Sequence, residues 1–247
     1  MVNFAPSKRF ASSSVIGFAV TVTGSLTPTE TYKQMDFNSF TISITKEQLS
    51  GLPTVEFPGS ITVIETLSDA LEALRFINTC DRVGFDTETK PNFRKGQTNT
   101  VSLIQISTLE RSFLFRLNKL GFFQELRDFM ESDKIEKVGL SLRDDFHVLH
   151  RIAPFEPANF IDLQAVVKDF NISDSSLQKI YGIIFNGRIS KSQRLSNWEA
   201  QQLSTGQQVY ASIDAWACLR IYNYLMAGEF DPATCSYAHP DTPDTAE

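Results

Sequence analysis

Three strand-type segments follow one another in the middle of the chain and restrict its fold more than any other feature. They are RVGFDTET (82–89), VSLIQIS (101–107) and SFLFRL (112–117). Each is rich in β-branched and aromatic residues, and successive strands of this kind pair as an antiparallel meander. The chain is therefore predicted to be built on a sheet rather than on a helical bundle.

Helical and strand-type segments alternate on both sides of this meander. ITVI (61–64) predicts a strand, and SDALEALRFI (68–77) predicts an amphipathic helix with Ser68 as its N-cap. After the meander the predicted order is helix, strand, helix, strand and two or more helices, carried by FFQELRDFM, EKVGL, LRDDFHVLHRI, NFIDL and the segment that ends near Leu225. This order indicates the α/β class, with a mixed sheet and helices on both of its faces.

The alternating pattern divides the chain into three parts. Residues 59–227 are predicted to form one domain, and residues 228–247 a disordered acidic tail without periodicity. Residues 1–58 are predicted to be a leader and a short pre-domain segment, partly disordered. Within them, the basic, serine-rich stretch 1–34 fits either a targeting segment or a disordered leader that precedes a start at Met35.

Charge and cysteine content exclude several classes of function. The net charge of −6, from 29 acidic and 23 basic residues, argues against a protein held to nucleic acid by bulk charge. This net charge is still compatible with an enzyme that holds one strand end through metal ions and a few basic side chains. Cys80, Cys218 and Cys235 contain no CxxC pair, so neither a disulfide framework nor a zinc module is indicated. A reducing, cytoplasmic location is predicted, with organelle targeting by the leader left open, and no membrane partner is expected.

Asp86 and Glu88 are the first candidate functional residues. They lie two positions apart in a predicted strand, so both carboxylates point to one face of the sheet, and Phe85 and Thr87 to the other. An exposed strand end would be the better explanation of this pair by itself. The pair gains weight only in combination with other acids.

Two predicted helices supply those acids. In LRDDFHVLHRI (142–152) the helical period places Asp145 among core-facing residues and Asp144 on the solvent side. In the last helix Asp214 falls within an apolar arc, and Tyr210 lies one turn earlier on the same face. A core tyrosine beside a hydrogen-bonded aspartate would explain this second pair equally well by itself. Three elements thus aim four carboxylates at buried or semi-buried positions, and hard divalent cations, which prefer oxygen ligands, are the cheapest physical way to hold such charges together. Two such ions about 3.5–4 Å apart suit phosphodiester chemistry.

Read together, these segments resemble the three motifs of the DEDD superfamily of 3′–5′ exonucleases, in its tyrosine subclass. The matching stretches are FDTET (85–89), VGLSLRDDFHVL (138–149) and YASIDAWACLRIY (210–222). Val209 occupies the position at which the histidine subclass carries its histidine. The segment KSQRLSNW (191–198) is most similar to Werner-type exonucleases, and ribonuclease D is a further related group. Ser141 departs from the asparagine that polymerase proofreading domains tend to carry.

The resemblance implies both a fold and a mechanism. The fold would be RNase H-like, a mixed five-stranded sheet flanked by helices on both faces. The activity would be hydrolysis from nucleic-acid 3′ ends that releases nucleoside 5′-monophosphates and uses two divalent ions, Mg²⁺ or Mn²⁺. Asp86, Glu88 and Asp214 would hold one ion, and Asp86 with Asp145 the second. Tyr210 and Glu88 would orient the attacking water.

Basic residues near these motifs are candidates for contacts with a single strand or a 3′ overhang of DNA or RNA. Two lie in the loop after the first motif and three ahead of Trp198: Arg94, Lys95, Arg188, Lys191 and Arg194. Solubilising loops are the alternative explanation. Trp198 is expected in the core, and His147 and His150 are expected at the surface because no further zinc ligands accompany them.

Two competing functions remain open from the sequence. One is a catalytically silent nucleic-acid-binding module on an exonuclease fold, which the presence of all four acids and Tyr210 disfavours. The other is a metal-dependent phosphatase of small substrates. Oligomeric state is not predicted.

Overall fold

The structure is a computed structural model that describes residues 40–91 and 100–240. The strands are Phe40–Ile42 (β1), Ser60–Ile64 (β2), Arg82–Thr89 (β3), Val101–Ser107 (β4), Arg111–Arg116 (β5), Glu136–Gly139 (β6), Phe160–Asp162 (β7) and Ala238–Pro240 (β8). The helices are Lys46–Ser50 (α1), Leu67–Ile77 (α2), Leu117–Leu120 (α3), Gln124–Glu131 (α4), Leu142–Leu149 (α5), Leu163–Val166 (α6), Leu177–Phe185 (α7) and Thr205–Met226 (α8). Short 3₁₀ helices occupy Val167–Phe170 and Pro232–Thr234.

Six strands form the main sheet in the order β2-β5-β4-β3-β6-β7. β3, β4 and β5 pair as the predicted antiparallel meander. The other three strands run parallel to their neighbours, which makes the sheet mixed. The predicted α/β class is therefore confirmed, while the count of five strands is wrong. All six strand-type segments of the sequence, ITVI and NFIDL included, join the sheet, whereas the resemblance implied five strands.

Side chains of the central strands alternate between two apolar layers, as the strand period requires. Phe85 of β3 and Ile104 of β4 pack in the layer that contains α2, α4 and α5. Leu103 of β4 faces the opposite way and packs with Trp198 and with Ala211 of α8. The predicted placement of helices on both faces is confirmed, and Trp198 is fully buried as expected.

The helix predicted from Ser68 begins one residue earlier, at Leu67. Its N-cap is Thr66, whose hydroxyl oxygen accepts a hydrogen bond of 3.2 Å from the amide of Asp69. Thr66 adopts the extended backbone that suits an N-cap. The assignment of Ser68 as N-cap is therefore wrong, because the threonine two residues earlier already satisfies the free amide.

Both flanks of the predicted domain pack onto it where the structure describes them. β1 pairs antiparallel with β8, and the buried residues Ile42, Phe230 and Tyr237 belong to one core cluster. The prediction of a disordered tail is therefore wrong for residues 228–240, because apolar side chains anchor a segment that has no periodicity. Residues 1–39 and 241–247 lie outside the described residues. In the described parts of the chain, no helix combines the length and the apolar character needed to cross a membrane.

Candidate active site

Three carboxylates from two elements meet where α8 lies across β3. Asp86 and Glu88 point from β3 to the same face, as their spacing predicts, and Asp214 projects from α8. One carboxylate oxygen from each residue lies within 4.8 Å of those from the other two. Three oxygens at this spacing form a donor set that fits a hard divalent cation.

Asp145 stands beside this group rather than in it. It lies on α5 and accepts a hydrogen bond from the hydroxyl of Thr87, which lies between the two acids of β3. Asp145 still raises the pKa of Asp86 and of Glu88 by charge repulsion, after the larger effect of burial on each. The neighbouring Asp144 is exposed, as the helical-face argument predicted. The structure thus brings the fourth acid close enough to repel the other carboxylates.

Tyr210 hydrogen-bonds the carboxylate of Asp214 one turn away on α8. Burial, followed by the charges of Asp214 and Glu88, raises the pKa of Tyr210 above its usual range, so the phenol stays protonated. Its ring packs against Trp198, with ring centroids 6.1 Å apart. Trp198 therefore supports the tyrosine from behind and is not available to stack a base.

Burial dominates the protonation of the acids in the absence of a cation. Desolvation raises the pKa of Glu88 to about 9, and repulsion from Asp214 and Asp145 adds to this rise. Desolvation likewise raises the pKa of Asp145 and of Asp214 to about 7. The pKa of Asp86 is raised well above its ordinary value by burial and by the three other acids. Such a set is unfavourable when ionised alone, and a bound cation would offset the repulsion.

A cleft of about 310 Å³ opens onto these residues and is lined by Asp86, Tyr210 and Asp214. Two of the predicted nucleic-acid contacts, Lys191 and Arg194, line the same cleft. Both are exposed on the loop ahead of α8. Arg188 lines a neighbouring groove instead. Arg94 and Lys95 lie outside the described residues.

Sequence reasoning missed two residues that shape the site. Thr87 was assigned only to the opposite face of β3, yet it is the hydrogen-bond donor to Asp145. Asp162 accepts hydrogen bonds from the amides of Ser141 and Leu142, at 3.2 and 3.0 Å, and so fixes the start of α5. Its position at the end of the predicted strand NFIDL, next to the end of β6, is the pattern that could have identified it.

The predicted surface position of the two motif-two histidines is confirmed. His147 and His150 are both exposed. A ring nitrogen of His150 lies 2.9 Å from the carbonyl oxygen of Phe155, and His147 contacts Arg151. These contacts explain the two histidines without a metal.

Fold and site together define an α/β protein with three recessed carboxylates on a mixed sheet. Residues 61–227 match the family model described as 3′-5′ exonuclease. Because this match covers more than half of the chain, the chain belongs to the 3′-5′ exonuclease family.

Relatives and solved structures agree with this membership. The mouse bifunctional 3′-5′ exonuclease/ATP-dependent helicase WRN is 30% identical over 184 residues, which cover 70% of this chain and 13% of that protein. An Arabidopsis thaliana 3′-5′ exonuclease is 28% identical over 200 residues, with coverage of 70% and 66%. The structure of Escherichia coli RNase D superposes with a TM-score of 0.62 at 20% identity, with coverage of 68% and 44%. The Aedes aegypti Nibbler EXO domain gives 0.61 at 20% identity, with coverage of 74% and 95%.

The matched region is only a fraction of the relatives' own length, from 13% of the mouse protein to 66% of the Arabidopsis protein. At 20% identity, the solved structures establish the shared fold alone.

Proposed function

We propose that this chain is a metal-dependent 3′–5′ exonuclease that hydrolyses phosphodiester bonds from the 3′ end of a nucleic acid and releases nucleoside 5′-monophosphates. One observation carries the proposal. Asp86, Glu88 and Asp214, all inside the region that matches the exonuclease family, offer carboxylate oxygens within 4.8 Å of one another. A catalytically silent descendant would have no need to keep such mutually repelling acids together.

Two divalent ions, Mg²⁺ or Mn²⁺, are proposed as cofactors. Asp86, Glu88 and Asp214 would hold one ion, and Asp86 with Asp145 the other. When bound, the ions activate water and stabilise the charge on the leaving oxygen. The proximity of Asp145 to the other acids supports its share in the second position.

The protein's own groups then position the reactants. Tyr210 keeps its proton and hydrogen-bonds Asp214, so its hydroxyl is held at the edge of the acid group. From there it orients the attacking water together with Glu88. Lys191 and Arg194 bring positive charge to the same cleft, where they attract the phosphate of the terminal nucleotide.

A single strand or a 3′ overhang is the proposed substrate, with DNA and RNA both compatible. The strand end would lie in the cleft of about 310 Å³ that opens onto the acids. Trypanosoma brucei RNase D, with a TM-score of 0.60 at 19% identity, has been solved in complex with RNA U12. That complex supports nucleic acid as the ligand class for this fold.

The decisive experiment uses 3′- and 5′-labelled oligomers of DNA and RNA with Mg²⁺ or Mn²⁺. It compares the wild type with Asp86→Asn and with the matched control Asp144→Asn, which changes an exposed carboxylate on α5. We expect stepwise shortening from the 3′ end in the wild type and the control, and none in Asp86→Asn or in EDTA. Binding without cleavage in every protein and with either metal would instead establish the silent binding module. Cleavage of a mononucleotide ester but of no oligomer would establish the phosphatase.

A further inference from the structure

A second groove lies beside the catalytic cleft and carries an excess of positive charge. Its volume is about 440 Å³, and its lining includes four cationic side chains, those of Lys46, Lys179, Arg188 and Lys191. None of the described residues that line it is acidic. The chain as a whole has a net charge of −6, so this surface is opposite in sign to the protein's overall charge.

The groove adjoins the cleft that holds the acids. Ser176, Gln178 and Lys191 line both of them. A strand whose 3′ end reaches the acids can therefore leave the cleft over these three residues and enter the groove. The two openings are therefore adjacent and share these three residues.

Most of this positive charge is free to meet a ligand. Lys179 is neutralised by Asp174, whose carboxylate lies 2.6 Å from the lysine nitrogen. Arg188 donates to the neutral hydroxyl of Thr54 at 3.1 Å. Over residues 40–91 and 100–240, Lys46 and Lys191 form no ion pair, and the charge of Lys46 acts on its sequence neighbour Glu47. Three of the four cations thus form no ion pair within the described residues.

The wall that carries Lys46 comes from outside the region that matches the exonuclease family. Lys46 lies on α1, which precedes residue 61, where the match begins. A capping box between Thr45 and Gln48 stabilises this short helix. The side chain of Leu49 packs the helix against Gly182 of α7. A Cβ atom added at Gly182 would lie 2.8 Å from that side chain. Lys46 therefore lies on a helix that is closely packed against the rest of the fold.

We propose that this groove binds the phosphodiester backbone of the nucleotides on the 5′ side of the terminal nucleotide, with Lys46, Arg188 and Lys191 as its phosphate contacts. The inference rests on the proposed function for the direction of the strand. Long substrates reach all three cations, whereas a dinucleotide in the cleft reaches only Lys191 of the three. The groove therefore makes affinity depend on strand length.

The test measures binding of fluorescent single-stranded dinucleotides and ten-nucleotide oligomers to the full chain in EDTA, where hydrolysis is blocked. It compares the wild type with Lys46→Ala, Lys46→Glu and the control Lys134→Glu. Lys134 is exposed and lies just before the start of β6. Leu140, which lines the cleft, lies just after the end of β6. The control therefore makes the same charge reversal at the opposite end of the sheet.

We expect Lys46→Glu to weaken binding of the ten-nucleotide oligomer by about ten-fold relative to Lys134→Glu. The effect on the dinucleotide should stay below about two-fold, because screening limits the action of a charge beyond ~10 Å. Lys46→Ala should also make the slope of log affinity against log salt shallower by about 0.7, the value for one lost single-strand phosphate contact.

Equal behaviour of Lys46→Glu and Lys134→Glu at both lengths would overturn the inference. So would a loss that is the same for dinucleotide, oligomer and inorganic phosphate, because the groove would then be a site for free anions. If length-dependent binding holds but no protein cleaves any oligomer with Mg²⁺ or Mn²⁺, the proposed catalytic function fails and the groove assignment stands.

Discussion

Gly84 of β3 lies directly beneath the backbone of Ala215 in α8. A Cβ atom at Gly84 would lie 1.9 Å from the carbonyl oxygen of Ala215, a separation that no packed structure tolerates. The glycine thus allows the helix to rest on the strand with no side chain between them. Because Asp86 and Asp214 lie two residues and one residue from this contact, the close approach is what brings their carboxylates together.

Gly84→Ala should therefore damage the site more than the fold. The added methyl group must move α8 away from β3, which separates Asp214 from Asp86 and weakens the shared position for a cation. We expect a loss of about 1–3 kcal/mol in the free energy of unfolding. We also expect at least a ten-fold drop in kcat/KM at a temperature where the variant is still folded, measured with denaturant melts and oligomer hydrolysis.

Gly51→Ala is the matched control for this substitution. Gly51 has an ordinary right-handed backbone, and an added Cβ would meet its nearest atom at 3.5 Å, a normal contact. This variant should keep its activity, with stability unchanged or raised by about 0.5 kcal/mol. Equal activity in Gly84→Ala and the wild type would show that the close approach does not set the metal site.

The parts of the site that obey a local period could be predicted from the sequence. The two-residue spacing on a strand placed Asp86 and Glu88 on one face, and the helical period separated Asp145 from the exposed Asp144. Asp214 was placed by an apolar arc, but α8 is buried on most of its sides. Its carboxylate reaches the site because of the contact with β3, which is a tertiary feature.

Features made by distant segments could not be predicted in the same way. Residues 228–240 have no periodicity, and only Phe230, Tyr237 and pairing with β1 reveal that they belong to the fold. The groove joins Lys46 to Arg188, which lie far apart in sequence. Neither contact produces a repeating pattern in the sequence, because each is made between segments that lie far apart along the chain.

The stability of the metal-free protein should fall as pH rises, and Asp214 should contribute to this. Its pKa in the folded protein, about 7, is raised above the ordinary value of 3.8, chiefly by burial. The folded state therefore favours the protonated acid, so its contribution to stability is fully present below about pH 4 and is lost as pH rises through 7. In EDTA, Asp214→Asn should gain stability relative to the wild type between pH 5 and pH 8, by at least about 4 °C in Tm.

Added Mn²⁺ provides the complementary measurement. A cation competes with protons for these carboxylates, so Mn²⁺ should raise the Tm of the wild type far more at pH 8 than at pH 5. Asp214→Asn should show a much smaller rise at pH 8, whereas Asp144→Asn should behave as the wild type. A rise in Tm that is independent of pH would contradict a site made of these buried acids.

Tyr210→Phe should reduce kcat by about a hundred-fold with little change in KM, because the hydroxyl orients water rather than holding the strand. Its ring packing against Trp198 is kept in phenylalanine, so stability should change by less than about 1 kcal/mol. Since the phenol stays protonated, the wild-type profile of activity against pH should show no alkaline limb from this residue. Steady-state kinetics and Mn²⁺ titration separate these effects, and a large change in KM would assign Tyr210 to substrate binding.

Thr87→Val should shift the acidic limb of the pH profile to higher pH. Burial raises the pKa of Asp145 to about 7, and the hydrogen bond from the Thr87 hydroxyl opposes this rise. Without that donor the pKa increases further, so a higher pH is required before Asp145 is ionised. We expect the midpoint of the acidic limb in kcat/KM to rise by about one pH unit with Mn²⁺, which corresponds to the loss of a hydrogen bond worth about 1.4 kcal/mol. Thr87→Ser retains the hydroxyl and should restore the wild-type midpoint. If valine lowers activity equally at every pH, the threonine only supports packing and does not tune the acid.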